Sequence, residues 1–159
     1  AMGGDLPART DSVAMAPNAA PRFILWADKD PSSGNLDRLQ IIKGWVDATG
    51  KSTEQVYDVA ASDGRSRDSE TGLFTSVGNT VDVPNASYAN TIGATHLEAV
   101  WTDPDFIPEH NAFYYARVLE IPTPRMSTYD AKTLGIKAPE PATLQERAAT
   151  SAIWYTAPR

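Results

Sequence analysis

Four oxygen-bearing side chains, Asp28, Asp30, Asn35 and Asp37, fall within one short stretch, ADKDPSSGNLD. Calcium takes hard oxygen ligands, and Asp-x-Asp opens an EF-hand loop. The register does not continue, however. With Asp28 first, Ser33 stands where the loop needs Gly and Leu39 where it needs a bidentate Glu. Two readings stay open: an irregular calcium site, or a turn whose Asp and Ser side chains bond their own backbone. Turn chemistry alone selects these residue types and favours the second.

His96 and His110 are the only histidines, and no His-x-His or His-Glu-x-x-His spacing joins them. With Asp103, Asp105 and Glu109 they could ligate a metal, or serve a small hydrolase, if the intervening loop folded back. A strand-edge histidine and a loop histidine are more simply polar surface residues. Nucleophilic catalysis has less to offer. Cysteine is absent, no Gly-x-Ser-x-Gly occurs, and SDGRSRDSETG lacks the spacing and the Lys-Ser/Thr ending of a phosphate loop. Asn85-Ala86-Ser87 fits a glycosylation sequon, a pattern too short to carry weight. Trp26, Trp45, Trp101 and Trp154 could form a sugar platform, but each sits in a strand-like context where aromatics fill a core.

The elements that must position these groups read as β. RFILWAD (22–28) is a short apolar run bounded by turns, expected as a buried strand. Residues 38–47 and 51–61 are predicted to form an antiparallel hairpin, with Gly50 at the positive-φ position of its loop. Residues 62–72 are a polar loop, and 80–92 a broken strand confined by Pro84. HLEAVWTD (96–103) reads as a strand. AFYYARVLEI (112–121) is apolar on both faces, as a central strand requires. Residues 127–134 can hold a short helix. Thr143 and Glu146 have capping-box spacing, which predicts a second short helix. AIWYT (152–156) closes the chain as a last strand. The expected fold is mainly β: an immunoglobulin-like antiparallel β-sandwich over residues 22–159, with one or two short helices near the C-terminus. Residues 1–21, with three prolines and no aromatic, read as a linker or extended arm.

Composition sets bounds on partners. The 159 residues carry 20 acidic and 14 basic side chains, a net charge of −6, which disfavours a nucleic-acid backbone as partner. Without cysteine, a disulfide framework and a thiolate zinc site are both excluded within this chain. No apolar run approaches the ~18 residues of a spanning helix, so membrane insertion is not expected. The first twenty residues contain no signal-type apolar region, and the compartment, cytoplasmic or periplasmic, stays open.

Several stretches in order, DPSSGNLDRLQIIKGWVDATGK, VYDVAASDGR, GNTVDV, VWTDPDF, AFYYARVLEIPTPR, STYDAKTLG and ATLQERAATSAIWYT, resemble the C-terminal part of a bacterial family known as a domain of unknown function, family 3604. The resemblance spans nearly the whole chain from Met2. Met126 and Ala149 stand where that family has Trp, and Ala152 where it has Pro. Full-length members resemble metal-dependent hydrolases of the polymerase-and-histidinol-phosphatase type, whose His-rich metal ligands lie upstream. The resemblance therefore implies a divalent metal in that upstream domain and no catalytic or cofactor-binding residue in this chain. It implies a non-catalytic C-terminal domain that packs on the catalytic one. Cut away from it, the domain should self-associate through an exposed apolar face. MGGDL (2–6) then reads as an internal junction, with Ala1 as a remnant of cloning. The alternative is a free-standing sugar- or calcium-binding module.

Overall fold

The structure, a computed structural model, describes residues 2–6 and 19–158. Nine strands and one helix follow in order: β1 (Arg22–Asp28), β2 (Leu36–Val46), β3 (Ser52–Ala61), β4 (His96–Thr102), β5 (Asn111–Glu120), β6 (Thr123–Pro124), α1 (Met126–Leu134), β7 (Thr143–Leu144), β8 (Arg147–Ala149) and β9 (Ile153–Tyr155). The large sheet runs β3-β2-β5, and both β8 and β9 pair with successive stretches of β5. A smaller sheet is β1-β4, and β6-β7 is a two-residue ladder. Every named pairing is antiparallel. The result is the expected mainly β sandwich with open sheets.

The hairpin forms where the sequence places it, as β2 and β3. Asp47 accepts hydrogen bonds from the Thr49 and Lys51 amides at 2.8 and 3.0 Å, and Gly50 takes φ +83°. Inward residues of β2 alternate with outward ones. Leu39 and Ile41 join Leu25, Leu36, Leu97, Ala112 and Tyr114 in the core between the sheets. On the opposite face of the large sheet Gly44 lies under Phe113, its register partner on β5. A Cβ at position 44 would overlap the Phe113 ring, so the glycine makes room for the aromatic.

Three expectations need correction. β1 is not a buried strand. Only Leu25 is buried; Arg22, Ile24, Trp26 and Asp28 face outward, because the small sheet has nothing on its outer side among the described residues. For the same reason Trp26 is 69% exposed, and Trp154, on the outer face of β9, is 53% exposed, so two of the four tryptophans are not core. Finally, the described residues contain one short helix, α1, and the second one expected near Thr143 does not form. Thr143–Glu146 belongs to β7 and the link into β8, where Thr143 pairs with Pro124. The side chain of α1's Thr128 donates to the Ala142 carbonyl at 2.6 Å, and that contact holds the segment extended against the helix.

Of the expected arm, residues 7–18 lie outside the described residues. Met2–Leu6 do not stand free: the Leu6 amide donates to the Trp154 carbonyl at 2.7 Å and the Trp154 amide to the Gly4 carbonyl at 3.1 Å.

Gly44→Ala should overpack this face and cost about 1–3 kcal/mol in urea denaturation. Adding Phe113→Ala should recover part of that loss, since it removes the clashing ring. Additive losses in the double variant would mean that the ring is not the obstacle.

Candidate functional site

Buried charge concentrates in two places. The first joins the sheets. Lys43, at an inward position of β2, reaches Asp103, just past the end of β4, at 2.6 Å, and donates to the Asp105 carbonyl at 2.7 Å. The Tyr114 hydroxyl of β5 donates to the same Asp103 oxygen at 2.7 Å, and the Asp105 amide donates to the second oxygen at 2.9 Å. Tyr57 of β3 donates to the Asp105 side chain at 2.8 Å and lies against Trp101, with ring centroids 5.0 Å apart. Lys43 also lies 5.2 Å from the Trp45 ring centroid. Lys43, Asp103 and Tyr114 are all buried.

Burial, and then the bond to Asp103, push the Tyr114 phenol far above its ordinary value of about 10. Burial and Asp105 do the same to Tyr57. Both phenols stay neutral at any physiological pH and donate their protons to carboxylates. Neither is poised to exchange a proton with a substrate. The adjoining cavity is about 110 Å³ and is lined by Lys43, Trp45, Asp105, Phe106, Ile107 and His110.

The second cluster pins the 62–79 loop to the edge of the large sheet. Asp37 accepts from Arg65 and, at 3.1 Å, from the Arg38 Nε; Gln145 adds a bond at 2.9 Å. Arg38 reaches Asp58 at 2.8 Å, and Gln40 donates to the other Asp58 oxygen at 2.7 Å. Two guanidinium groups thus meet two carboxylates. Among the described residues no buried side-chain polar atom lacks a partner.

The sequence candidates scatter among these arrangements. Asp37 and Asp103 are consumed by buried cations on different sides of the fold, and Asp105 holds Tyr57. Asp30 bonds the Ser32 amide at 2.7 Å, the turn chemistry anticipated for this loop. The Asn35 side chain donates to the Ile92 carbonyl at 2.9 Å. Asp28 pairs with His96 across β1 and β4 at 2.7 Å, with Glu98 3.8 Å from the other ring nitrogen. His110 lines the small cavity far along the chain from that pair, and Glu109 is exposed on the same loop. Among the described residues no group of three or more His, Asp or Glu side chains could hold a metal ion.

A family model described as "Protein of unknown function (DUF3604)" matches residues 1–157. The chain belongs to that family. No curated protein and no solved structure gives a significant match. For this DUF3604 domain the match covers the strands of both sheets, the Lys43–Asp103–Tyr114 cluster and the docked Met2–Leu6 segment. Among the described residues no helix is long and apolar enough to cross a membrane.

Sequence reasoning passed over Lys43, Tyr57, Arg38 and Arg65. For Lys43 a signal existed: the period-two series Leu39, Ile41, Lys43, Trp45 puts a cation on the inward face, where it needs a buried acid. No comparable signal marks Arg65, which sits in a polar loop.

Lys43→Met should destabilise the DUF3604 domain by about 3–5 kcal/mol in chemical denaturation, because it strands the Asp103 charge. Adding Asp103→Asn removes that charge, leaves an acceptor for Tyr114, and should restore part of the stability. A Lys43→Met variant within experimental error of the wild type would show the pair to be inconsequential.

The Asp28 hydrogen bond raises the His96 pKa, against an opposing effect of desolvation. What the pair contributes is therefore full below the ordinary histidine value of about 6.5 and is lost as pH rises through the raised one. An NMR titration should find the His96 midpoint above the ordinary value, and Asp28→Asn should bring it back down. An unshifted wild-type midpoint would count against the pairing.

Proposed function

We propose that this chain is a non-catalytic β-domain of a larger bacterial protein with a metal-dependent, hydrolase-like catalytic domain, on which it packs and whose substrate entrance it helps to shape. Support comes from where the chain spends its polar groups. The buried acids, bases and phenols are bound to one another, so none is left at a cleft as a base, nucleophile or metal ligand. What the described surface offers instead is apolar. On the outer face of the large sheet, Val46 is 42% and Trp154 53% exposed, flanking a groove of about 580 Å³ that Gly44 and Phe113 floor. The Gly4–Leu6 segment runs along β9 at this face, and a preceding domain would enter beside it. The single observation that carries the reading is this apolar groove, set next to charged clusters that are already satisfied.

The test is to produce the polypeptide encoded immediately upstream and mix it with this chain. The two should co-purify, and Trp154→Asp should weaken the association by at least about tenfold. Hydrolysis of phosphoester substrates should require the upstream part with divalent metal. Turnover by this chain alone at stoichiometric metal would overturn the proposal.

One observation favours the second reading, a sugar- or calcium-binding module: Trp26 is solvent-facing two residues from Asp28. A melting temperature that stays flat across a panel of glycans and divalent ions would remove it.

A further inference from the structure

The outer face of the small sheet is unusual for its composition. An antiparallel sheet with one face on the core ordinarily shows polar residues on the other. Here the centre of the outer face is apolar. Ile24 is 74%, Trp26 69% and Val100 55% exposed. Ile24 and Val100 are direct cross-strand partners, and Trp26 is the next outward residue along β1. The three form one contiguous patch.

Charge is sorted along the same face. In the β1–β4 register the outward pairs are Arg22 with Thr102, Ile24 with Val100, Trp26 with Glu98 and Asp28 with His96. One end is therefore basic through Arg22. The other ends on Asp28 and His96, with Glu98 one row inward beside Trp26; two carboxylates against one imidazole keep that half acidic whether or not His96 is protonated. The apolar patch lies between them. A face with a basic end, an apolar middle and an acidic end is complementary to itself when turned end for end.

We propose that this face is a homodimer interface, in which the β1–β4 sheets of two copies stack face to face about a two-fold axis lying across the strands. Arg22 of each copy then faces Asp28 of the other at both ends. Ile24 packs against Trp26 of the other copy, as an isologous contact requires: residue i meets j, and j meets i. Stacked sheets sit about 10 Å apart, a spacing that outward Trp and Ile side chains can fill. The opposite orientation, about an axis along the strands, would bring both Arg22 side chains to one end and the carboxylates of both copies to the other.

This surface is separate from the Val46–Trp154 groove, so the inference does not rest on the proposed packing against a catalytic domain. Sedimentation equilibrium of the purified chain should give twice its 17.2 kDa mass, with a dissociation constant in the micromolar range. Ile24→Lys, at a highly exposed position that should not disturb folding, should weaken the dimer at least about tenfold. Arg22→Asp makes both ends acidic, and Asp28→Arg makes Arg22's end and its opposite both basic, so each variant alone should be monomeric. An equimolar mixture of the two places every Asp opposite an Arg and should restore association as a heterodimer. A monomeric wild type overturns the proposal. So do single charge variants that dimerise like the wild type, a mixture that stays monomeric, or a dimer disrupted by Trp154→Asp but not by Ile24→Lys.

Discussion

The Asp103 carboxylate is the point on which the fold turns. It lies just past β4, in the small sheet, yet its two partners, Lys43 and Tyr114, rise from the two central strands of the large one. Its own amide donates to the Pro21 carbonyl at 3.1 Å, immediately before β1. One residue thus fixes where the small sheet ends, where β1 begins and how both sit over β2 and β5. Apolar side chains between the sheets supply most of the driving force for burial but are indifferent to small shifts in register. A buried ion pair whose carboxylate accepts from Lys43, Tyr114 and the Asp105 amide is not indifferent, because displacement leaves a charge in a medium of low dielectric. That difference accounts for the presence of such a pair in a core where leucine would fold as well.

The strands were legible where local pattern decides them. The β2–β3 hairpin follows from alternation plus Gly50, and the central place of β5 from its two apolar faces. Neither depends on distant parts of the chain. The tail was less legible because tertiary contact overrode local preference. Thr143 and Glu146 have the spacing of a helix start, but Thr143 pairs with Pro124 and the adjacent Ala142 carbonyl is taken by Thr128. Similarly, RFILWAD carries enough apolar residues to be read as buried on both sides. Whether a strand is central or lies in a half-covered sheet depends on how many strands join that sheet, which no seven-residue window records.

The candidate site shows the same division. Asp30 could be assigned to turn chemistry from its neighbours alone. Asp103 could not be assigned, since its partner Lys43 lies 60 positions away in the sequence (103 − 43), and for Asp37 the adjacent Arg38 gives no sign of the second partner, Arg65, 28 positions on (65 − 37). A spacing motif detects ligands that converge from one element, as on a helix or in a binding loop. In a sandwich, polar groups converge from different strands, and acids that look like a ligand set along the chain are distributed to separate cations in space.

These facts bear on the proposal that the domain serves through its surfaces. Interior charge that is fully paired rigidifies the sandwich, and a rigid sandwich can present flat apolar surfaces without collapsing onto them. The two such surfaces here lie on opposite sides: the Val46–Phe113–Trp154 face of the large sheet and the Ile24–Trp26–Val100 face of the small one. Exposed tryptophan on a sheet face costs solubility unless it is covered, and the net charge of −6 offsets that only in part. Each tryptophan is also placed where a rigid aromatic contributes most to association, at the centre of a patch with polar groups at its rim. A sandwich with two such faces can bridge, holding a neighbouring domain on one side and a second copy on the other. Under the proposed packing and the proposed dimer, the domain would act by fixing the geometry between its neighbours, a task that rests on stiffness and sorted surface charge.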